Sequence, residues 1–159
     1  MLFTAGPASR FFATVIVAAV IAHSADAAAT DDACSLLTPE QVGVAVGVPM
    51  GEGTYIMPTF KKTCIWNSTT SGGGTVTLNL QSLDQYDGGR KLASYGKSVT
   101  ATSIGGIGDD AYYSGTNKLV SLVVKKGGLA FKLAVHASVS IDKQQAAERA
   151  LALQIVSQL

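Results

Sequence analysis

Cys34-Ser-Leu-Leu-Thr-Pro-Glu-Gln-Val42 opens the stretch that decides the fold, and Thr63-Cys-Ile-Trp66 closes it. In the opening segment Thr38 can cap a helix, the proline after it suits the first helical position, and Gln41 completes a capping box. Gly47 predicts that this helix ends after about two turns. A helix of that length does not persist alone, so it must be held against the rest of the chain.

The first 29 residues are predicted to be a signal peptide. Arg10 supplies the positively charged N-terminal region, and an apolar run of 12 residues follows from Phe11 to Ala22. Alanines at 25, 27 and 29 then have the small-residue spacing that signal peptidase requires. The run is too short for a transmembrane helix, which needs about 20 residues. We therefore expect an exported protein, periplasmic or secreted, with no membrane span after cleavage.

Residues 30–159 are predicted to form a single domain of ordinary size. The net charge is +1 at pH 7, and it stays there when Arg10 and Asp26 leave with the signal. The remaining lysines occur as scattered pairs such as Lys61-Lys62. A nucleic-acid-binding protein concentrates basic residues on one surface, so we expect no nucleic acid partner.

The chain has two cysteines, Cys34 and Cys64. In an exported domain such a pair predicts one disulfide. The alternative, two free thiols of which one is a nucleophile, is disfavoured by the oxidising compartment and by the absence of a Cys-x-x-Cys spacing. In the closing strand Cys64 and Trp66 share a face, so the bridge places Trp66 in the core beneath the first helix.

The rest of the chain alternates strands with two further helices. Positions 75–81 alternate polar and apolar residues as a half-buried strand does, and 118–125 with 129–137 predict a hairpin through Gly127-Gly128. Asp84 is the expected cap of a helix to about Tyr95, ended by Gly96. Asp142 is the expected cap of the last helix. This order predicts an α+β fold: an antiparallel sheet with a short N-terminal helix, a middle helix and a long C-terminal helix packed on one face.

A glycine-rich loop is the most distinctive segment of the second half. It contains Gly105, Gly106 and Gly108 and continues into Asp109-Asp110. A phosphate-binding loop needs a helix after it, and calcium needs more oxygen ligands than two adjacent carboxylates supply. A tight turn or bulge is the favoured interpretation, and we expect no metal and no cofactor.

The residues that catalysis commonly uses are scarce. After signal cleavage one histidine remains, His136, and no Gly-x-Ser-x-Gly or His-pair motif occurs. No pair of carboxylates is marked by spacing, so no catalytic residue is predicted. An enzyme that uses carboxylates on an extracellular substrate stays open as the alternative function.

Three motifs resemble a family of small exported bacterial proteins of unknown function, many of them lipoproteins from actinobacteria. They are Cys34-Ser-Leu-Leu-Thr38, Cys64-Ile-Trp66 and Gly106-Ile-Gly-Asp-Asp-Ala111. The chain departs from the family in lacking a lipidation cysteine. The resemblance implies an envelope or secreted α+β module, and it brings no catalytic residues with it.

The preferred function is a non-catalytic binding module of the cell envelope, with a protein or envelope component as partner. The expected binding surface is the sheet face that the helices leave open, where Lys132 and His136 lie with Thr75, Thr77, Asn79 and Ala134. Residues 105–113 extend it. Tyr112 and Tyr113 point to opposite faces as consecutive strand residues, so one is expected in the core and the other available for contact.

Overall fold

A computed structural model describes residues 31–95, 99–116 and 119–159. The predicted signal peptide and Gly96 lie outside these ranges. A 3₁₀ turn at Ala33–Ser35 precedes the main elements. These are α1 (Pro39–Val46), β1 (Thr54–Met57), β2 (Phe60–Asn67), β3 (Thr75–Gln81), α2 (Leu83–Tyr95), β4 (Thr100–Ile104), β5 (Asp110–Gly115), β6 (Val120–Lys126), β7 (Leu129–His136) and α3 (Ile141–Val156).

All seven strands belong to one antiparallel sheet in the order β1-β2-β3-β7-β6-β5-β4. β3 lies between β2 and β7 in the sheet. Along the chain, α2, β4, β5 and β6 come between β3 and β7, and β7 then pairs with β3. In β3 the side chains of Val76, Leu78 and Leu80 are buried and those between them are half-buried, as the alternation predicts. The predicted α+β class and antiparallel sheet are confirmed.

One face of the sheet carries the main core. Helices α1 and α3 cover it, and α3 contributes an apolar stripe that includes Ala147, Leu151 and Ile155. Trp66 and Phe131 are fully buried in this layer, which confirms the core role predicted for Trp66.

The Cys34–Cys64 disulfide is present and closes a separation of 30 residues. It fixes the 3₁₀ turn to β2, and the turn leads directly into α1. Asp32 strengthens the attachment, because both of its carboxylate oxygens accept from the Tyr55 hydroxyl, at 2.8 and 2.9 Å. The first helix is therefore held by a covalent bond and by a hydrogen bond to β1.

The first helix has the ends that the sequence predicts. The Thr38 hydroxyl accepts from the Gln41 backbone, and the Gln41 side chain accepts from the Thr38 backbone. Gly47 takes the left-handed conformation at φ 82° and ends the helix.

The caps predicted for the other two helices are wrong. Ser82, not Asp84, begins α2, because Ser82 and Gln85 form a capping box at 2.9 and 3.2 Å. Ser140, not Asp142, stands before α3, and its side chain makes no capping hydrogen bond. In both helices the acidic residue lies two positions further in, within the first turn, where a carboxylate interacts favourably with the helix dipole.

The middle helix lies on the face opposite α1 and α3, so the arrangement of three helices on one face is not confirmed. Tyr86 of α2 packs edge-on against Tyr112 of β5, with ring centroids 5.2 Å apart. Val123 and Ala130 complete this second, smaller cluster. Two helices thus cover one face of the sheet and a single helix covers part of the other, and that partial cover creates the site described next.

Candidate functional site

The uncovered part of the sheet beside α2 forms a groove of about 710 Å³. We call it the open-face groove. Its lining is Ile56, Thr63, Thr77, Asn79, Gln81, Val99, Ser114, Gly115, Thr116, Leu119, Ser121, Lys132, Ala134 and His136. The volume lies in the range of ordinary ligand sites.

The strand register brings the polar side chains of the groove together. On β3 the residues Thr77, Asn79 and Gln81 alternate with the buried leucines and so point to the open face. β7 pairs with β3 such that Lys132 stands beside Asn79 and Ala134 beside Thr77. The floor is therefore two central strands, with small and polar side chains across it.

The groove is rich in neutral hydrogen-bonding groups and has a positive charge. Asn79 donates through Nδ2 to the Thr63 hydroxyl at 2.6 Å, which fixes the orientation of its amide. Lys132 and His136 are exposed, and Lys132 forms no ion pair within the described residues. Among the described lining residues there is neither an aspartate nor a glutamate.

Of the residues predicted for an interaction surface, the structure places Lys132 and His136 in the groove. Gly105, Gly106, Gly108, Asp109 and Asp110 lie elsewhere, near the β6–β7 turn, and do not line it.

The glycine-rich loop is built as a tight turn fastened to its neighbour. Asp109 accepts from the backbone N–H of Gly127 at 2.6 Å and pairs with Lys126 at 3.3 Å. These two contacts lower the pKa of Asp109. At Gly108, with φ 59°, a Cβ would stand 2.4 Å from the Lys125 carbonyl oxygen. Only glycine fits there, because the backbone of the loop lies so close to the backbone at Lys125. This supports the interpretation of the loop as a tight turn.

Both tyrosines after the loop are buried, so the prediction that one of them is available for contact is wrong. Tyr112 is 2% exposed and donates to the Tyr86 carbonyl at 3.2 Å under α2. Tyr113 is 9% exposed and donates to the Gln145 carbonyl at 3.0 Å under α3. They do point to opposite faces, but each face is covered by a helix at this strand.

Arg90 of α2 secures the helix over β4 and β5. Its guanidinium binds the Asp110 carboxylate and the Ser103 hydroxyl, and it lies 5.3 Å above the Tyr112 ring. This network gives Asp110 a partner within the protein, which a cation site would have to displace. Within the described residues no group of three or more His, Cys, Asp or Glu side chains could hold a metal.

Sequence reasoning missed Glu148, the most perturbed acid of the described chain. Its side chain is fully buried under α3, and Oε1 accepts from the Val135 backbone N–H at 3.1 Å. Oε2 has no hydrogen-bond partner in the described part of the chain. Desolvation raises the pKa of Glu148 to about 8. The sequence signal was present: Glu148 falls within the apolar stripe of α3, between Ala147 and Leu151.

Two other cavities are smaller and lie on the helical side of the sheet. One of about 490 Å³ follows α1 and the loop after it, and one of about 410 Å³ separates α1 from α3. Both are lined mainly by small apolar residues. The open-face groove is larger and has the greater variety of polar groups, and we therefore take it as the candidate site.

Comparisons with protein-family profiles, with curated proteins and with solved structures find no match for this chain. The resemblance drawn from the three motifs therefore stays a prediction. No helix in residues 31–95, 99–116 or 119–159 is long and apolar enough to cross a membrane.

Proposed function

We infer that this chain is an exported binding module of the cell envelope that holds its ligand in the open-face groove. The observation that carries this is the groove itself: a concave, partly covered sheet face on which polar side chains are left to interact with something else. In the described part of the chain, the side chains of Thr77, Gln81 and Ser121 make no hydrogen bonds of their own.

Export is supported by the disulfide. Disulfides persist in oxidising compartments such as the periplasm and the extracellular medium. The Cys34–Cys64 bridge fits that setting, and the apolar run at residues 11–22 is of the length expected for a signal peptide.

A carboxylate-dependent enzyme is the second candidate, because a carboxyl with a raised pKa is typical of active sites. Glu148 is that carboxyl. Its side chain lies under α3, however, with the sheet between it and the groove, and it is fully buried. A substrate in the groove could not reach it, so the binding module is the better supported function.

The function can be tested by filling the groove. Thr77→Trp places a large side chain on the groove floor while keeping a residue that suits a strand. Leu153→Trp is the matched control, at a half-exposed position on α3 on the other side of the sheet. Each protein is immobilised and used to capture ligands from the host envelope fraction. We expect a retained species that Thr77→Trp loses and Leu153→Trp keeps; equal capture by all three proteins would overturn the groove as the site.

A further inference from the structure

The charge of the open-face groove narrows the class of ligand. Lys132 stands on its floor with no acidic side chain among the described lining residues. Lysine with a carboxylate forms a strong charge-assisted hydrogen bond, and no carboxylate of the described residues lies within ion-pair distance of Lys132. A ligand with negative charge is therefore favoured over a cationic one.

The lining also disfavours two common kinds of ligand. Among the described lining residues there is no phenylalanine, tyrosine or tryptophan, and the one aromatic ring is the imidazole of His136. Single-stranded nucleic acids are held by stacking of bases on several aromatic rings together with several basic residues, whereas the described lining offers one imidazole and one lysine. Sugar rings pack on aromatic faces in a similar way, so a glycan would find no tryptophan, tyrosine or phenylalanine platform among the described lining residues.

The groove does fit an extended polypeptide. The amides of Asn79 and Gln81 each have donors and acceptors, which can bond to N–H and C=O groups of a peptide backbone. Their neighbour Thr77 adds a hydroxyl that can serve in either role.

The rim has two apolar anchor points on opposite sides. Ile56 belongs to β1 and is 57% exposed, and Leu119 precedes β6 and is 59% exposed. In the strand order, β1 and β6 are separated by β2, β3 and β7. At about 4.8 Å between neighbouring strands the span is about 19 Å, the length of about six residues of extended chain.

We propose that the ligand of the open-face groove is an acidic polypeptide segment in extended conformation, crossing the strands from Ile56 to Leu119 with a carboxylate on Lys132. Aliphatic side chains near each end of the segment contact Ile56 and Leu119. This rests on the proposed function and adds the chemistry of the partner to it.

The test is selection from a phage-displayed library of random peptides of about seven residues, slightly longer than the roughly six residues that span the groove. The targets are the wild-type protein, Lys132→Glu, and Lys143→Glu as a control for a lysine on α3 beyond the sheet. We expect wild-type selections to converge on Asp or Glu together with Leu, Ile or Val. A selected synthetic peptide should lose about tenfold or more in affinity with Lys132→Glu and about twofold or less with Lys143→Glu. Unchanged melting temperatures verify that both variants are folded.

Two outcomes overturn the proposal. One is a consensus without acidic residues, or no consensus at all; the other is a selected peptide that Lys132→Glu binds as well as the wild type does. The Thr77→Trp variant distinguishes a wrong class of ligand from a wrong binding site. If Thr77→Trp loses a native ligand that proves to be a glycan or a basic peptide, the proposed binding function is retained and the acidic peptide is ruled out as the ligand. If acidic peptides bind Thr77→Trp with unchanged affinity, the groove is ruled out as the binding site.

Discussion

The Glu148 carboxyl of α3 accepts a hydrogen bond from the backbone N–H of Val135 in β7, 3.1 Å away, inside the main core. The pairing between β6 and β7 ends at Leu122 and Leu133, and Val135 lies two residues beyond it. Beyond the end of that pairing, the Val135 N–H thus donates to a side-chain oxygen of α3. This hydrogen bond attaches the helix to the sheet in addition to apolar packing.

This buried carboxyl makes stability depend on pH. Because the pKa of Glu148 is raised to about 8 from an ordinary 4.5, the folded chain retains a proton that the unfolded chain releases between these values. The stabilisation of the fold by this retained proton is complete below pH 4.5 and is lost as the pH rises through about 8. We expect the free energy of unfolding to fall by a few kcal/mol over that interval.

Glu148→Gln should remove most of that fall, because glutamine keeps a carbonyl oxygen for the Val135 N–H and cannot ionise. Urea unfolding from about pH 5 to about pH 8 measures it. Glu52→Gln, at an exposed glutamate, is the control and should leave the pH dependence as in the wild type. A Glu148→Gln protein with the wild-type slope would show that another group is responsible.

Gly53 lies against the disulfide and the core tryptophan. A Cβ there would stand 2.7 Å from Cys64 Sγ and 2.8 Å from Trp66 Nε1. Neither neighbour can move freely, since one is cross-linked and the other is fully buried. We expect Gly53→Ala to destabilise the protein by about 1–3 kcal/mol in urea unfolding. A loss below about 0.5 kcal/mol would mean that the packing around Trp66 is looser than described.

Gly88 is the opposite case, a glycine inside α2 whose Cβ would meet nothing within 4 Å. Alanine is the better helix former by about 1 kcal/mol, so Gly88→Ala should stabilise the protein by up to that amount. Thermal unfolding measures the gain. A lower melting temperature would show that position 88 is not an open helical site.

The Cys34–Cys64 bridge should contribute substantially to stability, because it joins the first helix to the sheet across 30 residues. Replacing both cysteines with serine should cost about 2–5 kcal/mol. The measurement compares the free energy of unfolding of the double variant with that of the wild type. A difference below about 1 kcal/mol would mean that apolar contacts and the Asp32–Tyr55 hydrogen bond already hold α1 in place.

Local signals in the sequence predicted much of the fold. The capping box at Thr38, the alternation in β3 and the single pair of cysteines each depend on neighbouring residues or on simple counting, and each was confirmed. The caps of α2 and α3 were assigned to acidic residues two positions too late, because Ser82 and Ser140 are equally good cap residues in sequence.

The failures concern contacts between elements that are distant in sequence. No residue near Tyr112 in the sequence indicates that α2 returns to cover it, so α2 could not be assigned to the second face from local patterns. The same helix covers the end of that face near the glycine-rich loop, which is why the loop lies outside the groove. Lys132 and His136 were placed on the open face correctly, because alternation within one strand decides that.

The central claim is that ligand binds in the open-face groove, and photocrosslinking in the native host tests it most directly. A p-benzoylphenylalanine residue replaces Thr77 on the groove floor in one protein and Ala150, an exposed residue of α3, in the other. The two proteins are irradiated in the living host and their adducts are resolved by mass. The account predicts a discrete adduct from position 77 and none from position 150. No adduct from position 77, or the same adduct from both positions, would contradict it.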